Sequence, residues 1–252
     1  FESKPSSGTR ASRTAVVVGG AVLRAAATLR ERVLEIAGRL MEADPADLEV
    51  IDGGIALRDA PSRRVTLREV AEAAYFRPSL RESVPEPSLS VQSFHDPRAT
   101  YANGCIACVV EVDVETGAVT VVRAVAVEDC GTIVNPAIVD GQIRGAVAQG
   151  IGGALLEHAV YDDGGQPQAS TFLDYLLPTA TDVPEIEIDH LSSPSPFTPG
   201  GIKGMGESGL IATPAAIALA VEDALAPFGA RVDRLPLSPE LVAGMIPERE
   251  PE

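Results

Sequence analysis

The sequence predicts an α+β fold, and three observations carry the prediction. Apolar residues recur at helical spacing in long segments near 20–42, 135–160 and 213–225. β-branched runs flank turn residues near 48–58 and 105–130, and the two kinds of segment follow no regular strand–helix–strand alternation. With 252 residues, 45% of them hydrophobic, the chain can bury a sizeable core as one large domain or two small ones.

A polar start leads to an amphipathic helix expected from Gly20 to about Glu42, where Val22, Ala26, Leu29, Val33, Ile36, Ala37 and Leu40 recur at helical spacing and Asp44-Pro45 ends the pattern. Leu48–Ile51 and Ile55–Arg58 read as a hairpin around Asp52-Gly53-Gly54. Thr66 is an expected N-cap for a helix to Tyr75. From Arg77 to Asn103 the prolines at 78, 85, 87 and 97 predict an extended connection. That connection is the expected boundary between an N-terminal subdomain, 1–102, and a C-terminal one, 103–252.

"CIACVVEVDVETGAVTVVRAVAVEDCG" reads as two strands around Glu115-Thr116-Gly117, apolar on both faces and so expected inside a covered sheet. Asn135-Pro136 opens a helix through "AIVDGQIRGAVAQGIGGALLEHAV". "ASTFLDYLLPTATDVPEIEIDHL" predicts two further strand-like pieces, and "SSPSPFTPGG" a loop. A last helix is expected to start at Thr213 as N-cap and Pro214 as first residue, with Ile217, Val221, Ala224 and Leu225 facing a core.

Composition excludes some functions. A net charge of −16, from 36 acidic against 20 basic residues, repels nucleic acid and anionic lipid. No apolar run is long enough to span a membrane, and no basic-then-apolar leader opens the chain. Three cysteines make no disulfide framework, which suits a reducing cytoplasm. Phe1 stands where a complete chain would carry Met, as in a fragment or processed piece.

The richest chemistry lies in "GIKGMGESGL", residues 201–210. Gly204 to Gly209 fits G-x-G-x-x-G, but a Pro/Ser loop rather than a strand precedes it, and Glu207 would repel a pyrophosphate. Ser208 lacks the G-x-S-x-G elbow. His95, His158 and His190 are too scattered for a triad or a zinc site. Cys105 and Cys108 form C-x-x-C without a second pair, on a strand whose alternation sends them to opposite faces, and read as core cysteines. Gly141, Gly145, Gln149 and Gly153 fall four apart on one helix face. Each glycine costs a helix roughly 1 kcal/mol relative to alanine, so something must come close to that face: another element packed tightly, or a ligand that the Gln149 amide could bond. Glu207 is equally open between capping amides in a glycine turn and serving a ligand beside the loop.

These motifs share a resemblance. Gly201–Leu225, "DCGTIVNPAIVDGQIRGAVAQGIGGALLEHAVYDDGGQ" and "GTRASRTAVVVGGA" resemble, in family order and over nearly the whole chain, the molybdenum-binding subunit of the xanthine dehydrogenase and aldehyde oxidase family. They are most similar to bacterial carbon monoxide dehydrogenase-type large subunits, and cover only the C-terminal half, the second molybdopterin-binding domain. The resemblance implies hydroxylation of a carbon centre, often in an aldehyde or N-heterocycle, with oxygen from water and electrons passing through two [2Fe–2S] clusters to FAD. It implies that Glu207 is the general base. It further implies that Gln149 with Gly150, the run Ala11-Ser12-Arg13-Thr14, and Gly206 in the loop under the pterin contact molybdopterin cytosine dinucleotide. No metal ligand is implied in this chain. The clusters and FAD are expected on partner domains or subunits. The first half of the cofactor site is expected on a partner chain or in another part of a longer subunit. The rival reading is a non-catalytic scaffold or assembly subunit that retains the fold, against which the intact Glu207 and Gln149 weigh.

Overall fold

A computed structural model describes residues 8–84 and 88–247. The chain divides into two compact units, Val17–Pro97 and Phe1–Val16 with Arg98–Glu252. This grouping follows contacts rather than chain order, so residues 8–16 go with the C-terminal part and not with the N-terminal subdomain to which a boundary at 102/103 assigns them.

In the Val17–Pro97 unit, the C-terminal half of helix α1 (Thr14–Met41) packs on a meander and a second helix. The helix begins earlier than the expected Gly20, because the close approach of the His95 ring accounts for that glycine. A Cβ on Gly20 would lie 2.1 Å from His95 Cδ2. His95 is buried, both ring nitrogens lack partners among the described residues, and burial, aided by Arg24, pushes its pKa down. The expected hairpin is present as β1 (Leu48–Ile51) and β2 (Gly54–Leu57), extended by an antiparallel β3 (Ala60–Thr66). β3 escapes sequence reading because "APSRRVT" is almost wholly exposed and carries no alternation. Thr66 caps α2 (Leu67–Phe76) in a capping box with Glu69. A short α3 (Pro78–Ser83) interrupts the expected extended connection, since Pro78 takes a first-turn position where no N–H is needed. Residues 88–102 have no regular structure.

The other unit holds the long strands β4 (Asn103–Val112) and β5 (Val119–Asp129), antiparallel around the Asp113–Gly117 turn, with β6 (Ile186–Leu191) parallel to β5 on its far side. The sheet is covered on one face only. Val109 and Val122 are 55% and 53% exposed, so the expectation of strands covered on both sides is corrected. With it goes the expectation that both motif cysteines are core residues: Cys105 is exposed, Cys108 half-buried, and the buried one is Cys130. "ASTFLDYLLP" forms turns rather than a strand, leaving β6 as the one strand of that segment.

Helix α4 (Pro136–Leu155), capped by Asn135, and α5 (Ser208–Ala224) cover the inner face through Ile143, Val147, Ile151, Ile217 and Val221, packed with Ala124 and Ala126 of β5. Gly209 meets Ala146 and Val147, and Gly150 meets Thr213, so the two helices run side by side in the same direction. α5 starts five residues before the expected Thr213. Thr213 and Pro214 lie inside it, the Thr213 hydroxyl donating to Gly209 O at 2.6 Å. Ala224, expected to face the core, is exposed, while Ile217, Val221 and Leu225 are fully buried. A short α6 (Pro239–Ala243) completes the unit. No helix among the described residues is long and apolar enough to cross a membrane.

Candidate functional site

The loop before α5 is pinned at its base by a buried polar cluster. The Asp129 carboxylate accepts hydrogen bonds from Gly131 N (2.8 Å), Ser193 N (3.0 Å), Lys203 Nζ (3.2 Å) and the Ser193 hydroxyl. Burial alone would raise its pKa, but these donors outweigh it and hold the carboxyl far below the usual range. Lys203 N donates to Cys130 O and Thr132 N to Gly201 O, while Gly200 and Gly201 take the left-handed backbone (φ 79° and 73°) that turns the chain back. Met205 is buried, which leaves Gly206 and Glu207 at the surface end of the loop.

Glu207 occupies the N-cap position of α5, yet its side chain makes no cap bond. The capping account of this glutamate therefore fails. Its carboxylate instead accepts from Ser12 Oγ (3.1 Å, at Oε2), and its own backbone N–H donates to the same hydroxyl oxygen at 2.9 Å. Among the described residues, no hydrogen bond reaches Oε1. Glu207 is exposed, so one carboxylate oxygen is tethered and the other is open.

Ser12 reaches the loop from a turn in which Ala11 and Ser12 both take positive φ (51° and 54°), a conformation L-residues adopt at a cost of about 1–3 kcal/mol each. A Cβ on Gly204 would stand 1.9 Å from Ser12 O, so the strap lies directly on the loop and only glycine fits beneath it. Arg13 and Thr14 follow half-buried, Thr14 as the first residue of α1.

The glycine face of α4 opens outward. Added Cβ atoms on Gly141, Gly145 and Gly153 would meet nothing within 4 Å, and Gln149 is exposed among them. Packing among the described residues therefore does not explain these three glycines. Gly150 is different: its missing side chain faces Thr213, with Cβ contact at 2.5 Å. Gln142 also lies on the open face, and its Nε2 would sit 3.2 Å from a Cβ on Gly206, which joins the stripe to the glutamate loop. The sequence reading missed Gln142, although it stands seven residues before Gln149, two turns along the same face. The structure thus brings Ser12, Gly206 and Glu207 together and sets Gln142 beside them. Ala11 is exposed at the turn, and Gly150 packs inward.

Beneath the loop, Glu128 on β5 is 1% exposed and neither oxygen has a partner among the described residues. Burial pushes its carboxyl pKa up. The neighbouring Ser208 hydroxyl donates instead to Met205 O at 2.8 Å. No cluster of three or more His, Cys, Asp or Glu among the described residues is placed to hold a metal ion.

The described residues thus form a helix-covered mixed sheet with an open glycine stripe beside a tethered carboxylate. Comparison with known proteins names a cofactor. The model of the molybdopterin cofactor-binding domain matches residues 2–184, ending before the Glu207 loop. The nicotine 6-hydroxylase large subunit of Paenarthrobacter nicotinovorans is 44% identical over 94% of this chain and 29% of its own length. The carbon monoxide dehydrogenase large chain of Afipia carboxidovorans is 34% identical over 87% of this chain and 27% of its own. The crystal structure of quinoline 2-oxidoreductase from Pseudomonas putida 86 superposes with a TM-score of 0.82 at 45% identity, covering 96% of this chain and 31% of that one. The chain belongs to the molybdopterin cofactor-binding domain family, among the molybdenum-binding subunits of the xanthine dehydrogenase and aldehyde oxidase type. It spans less than a third of the length of these relatives.

Proposed function

We propose that this chain forms the C-terminal part of the molybdenum-binding subunit of an oxidoreductase, holding molybdopterin cytosine dinucleotide along the open face of α4 and presenting Glu207 as general base. The observation that carries the reading is the glycine stripe itself. Three helical glycines that no close contact among the described residues requires leave bare backbone open to close approach, flanked by the donors and acceptors of Gln142 and Gln149 and continuous with the glutamate loop. Such a face fits a large, polar, flat ligand better than it fits solvent.

When bound, the molybdenum cofactor supplies the two-electron oxidation of the substrate carbon. Glu207 Oε1, open while Oε2 is tethered, would serve as the acceptor for a proton released beside the cofactor. Gln142 and Gln149 offer amide groups to the cofactor's polar edges. The two relatives near 45% identity carry the names of nicotine and quinoline, both aromatic N-heterocycles, and that supports an N-heterocyclic substrate over an aldehyde or carbon monoxide. Iron–sulfur clusters and FAD would sit on partner domains or subunits, and the remaining cofactor contacts on the rest of a longer subunit or on a partner chain.

Filling the stripe separates a ligand face from a solvent face. A Cβ at Gly145 meets nothing within 4 Å among the described residues, and leucine there should improve helix propensity by about 0.8–1 kcal/mol. Gly145→Leu should therefore leave the fold at least as stable while lowering the molybdenum content of the assembled enzyme, and Gln149→Leu should lower it by leaving polar cofactor atoms unpaired. Full molybdenum in both variants would refute the assignment.

A further inference from the structure

We infer that Ser12 is a positioning residue for Glu207, setting the direction of its carboxylate, rather than a hydrogen-bond donor to the cofactor. The inference rests on the reading of Glu207 as general base. A hydroxyl has one proton to give and two lone pairs. The Ser12 proton goes to Glu207 Oε2 at 3.1 Å, and one lone pair accepts the Glu207 N–H at 2.9 Å. With its single donor committed, Ser12 has none left for a phosphate or pterin oxygen.

The two bonds close a ring through one residue's backbone and side chain. They restrict the glutamate rotamer and turn Oε1 outward. A long acidic side chain in an exposed loop would otherwise sample several rotamers, each freezing at an entropic cost. The strained turn supports the same reading. Consecutive positive φ values at Ala11 and Ser12 deliver the hydroxyl, and the Ser12 carbonyl presses on Gly204 at a distance no side chain would tolerate. Strap and loop thus form a single constraint across 195 residues of sequence.

The test uses the assembled, molybdenum-loaded enzyme. Ser12→Ala should keep its molybdenum, hold KM within about two-fold and lower kcat about ten-fold, the scale of losing a hydrogen bond to a charged group. It should also speed hydrogen exchange at the Glu207 amide, read by mass spectrometry on peptides spanning 204–210. In a Glu207→Gln background, Ser12→Ala should cost far less than ten-fold, because the residue it acts through is gone. Wild-type kcat in Ser12→Ala, an undiminished loss in the Glu207→Gln background, or molybdenum falling in step with activity would each overturn the inference. Should Glu207→Gln itself turn over normally, the base assignment fails. Unchanged exchange at the Glu207 amide in Ser12→Ala would show separately that the tether is absent.

Discussion

Two glycines flank Met205 for different reasons. At Gly204 an added methyl would stand 1.9 Å from the backbone carbonyl of Ser12, which cannot yield without moving the strap. At Gly206 it would stand 3.2 Å from Nε2 of Gln142, the tip of a flexible side chain, and 3.5 Å from Ser12 Oγ. Gly204→Ala should therefore cost about 1–3 kcal/mol through overpacking and lower the thermal midpoint by several degrees, while Gly206→Ala should shift it little. Equal midpoints for the two variants would mean that the strap does not lie on the loop. Glu207 stands out in the sequence as a lone carboxylate in a glycine loop, but its proposed role comes from resemblance rather than from the spacing. Its partner was not. Ser12 lies 195 residues away, and no local pattern announces a bond across that distance. Resemblance brought attention to Ser12 for another role, and only the geometry reveals where its proton goes.

Among elements, those that declare themselves by caps and periodicity were legible, and those made by partners were not. α2 with its Thr66 cap and α4 with its Asn-Pro start were expected from local chemistry. The start of α5 was misplaced because Thr213-Pro214 has the chemistry of a helix beginning. Packing of Gly209 on Ala146 and Val147 carries the helix back to Ser208 all the same. β3 is held by pairing with β2 rather than by an apolar pattern of its own, and the sheet's exposed Val109 and Val122 show that an apolar run does not by itself prove two covered faces. β5 also carries a buried acid with a consequence for pH. Glu128, facing Gly104, Ser208 and His190, has its pKa raised above the ordinary 4.5 by burial, so the folded state favours its neutral form. That contribution is complete below about pH 4.5 and is lost as pH rises toward the folded pKa. Glu128→Gln, neutral throughout, should raise the thermal midpoint over wild type at pH 8 and give no gain at pH 4. A gain independent of pH would show that the carboxyl is not protonated on folding.

For the whole molecule, the α+β class was readable from spacing and turn chemistry and the family from the resemblance of three motifs, while the grouping of residues 8–16 with the C-terminal part was not, since chain order conceals it. That grouping matters because it puts Ser12 and Glu207 in one compact unit. The chain covers less than a third of its relatives' length, and completion of the site by residues outside this sequence is part of the proposal. What the chain itself is proposed to add is a base. The most direct measurement is single-turnover reduction of the iron–sulfur clusters by substrate in the assembled Glu207→Gln enzyme, with molybdenum determined in the same samples. Glutamine keeps the size and much of the bonding to Ser12 but cannot take a proton. The account predicts unchanged molybdenum and a rate lower by about 10²–10⁴-fold. A near-normal rate at full molybdenum content would contradict it.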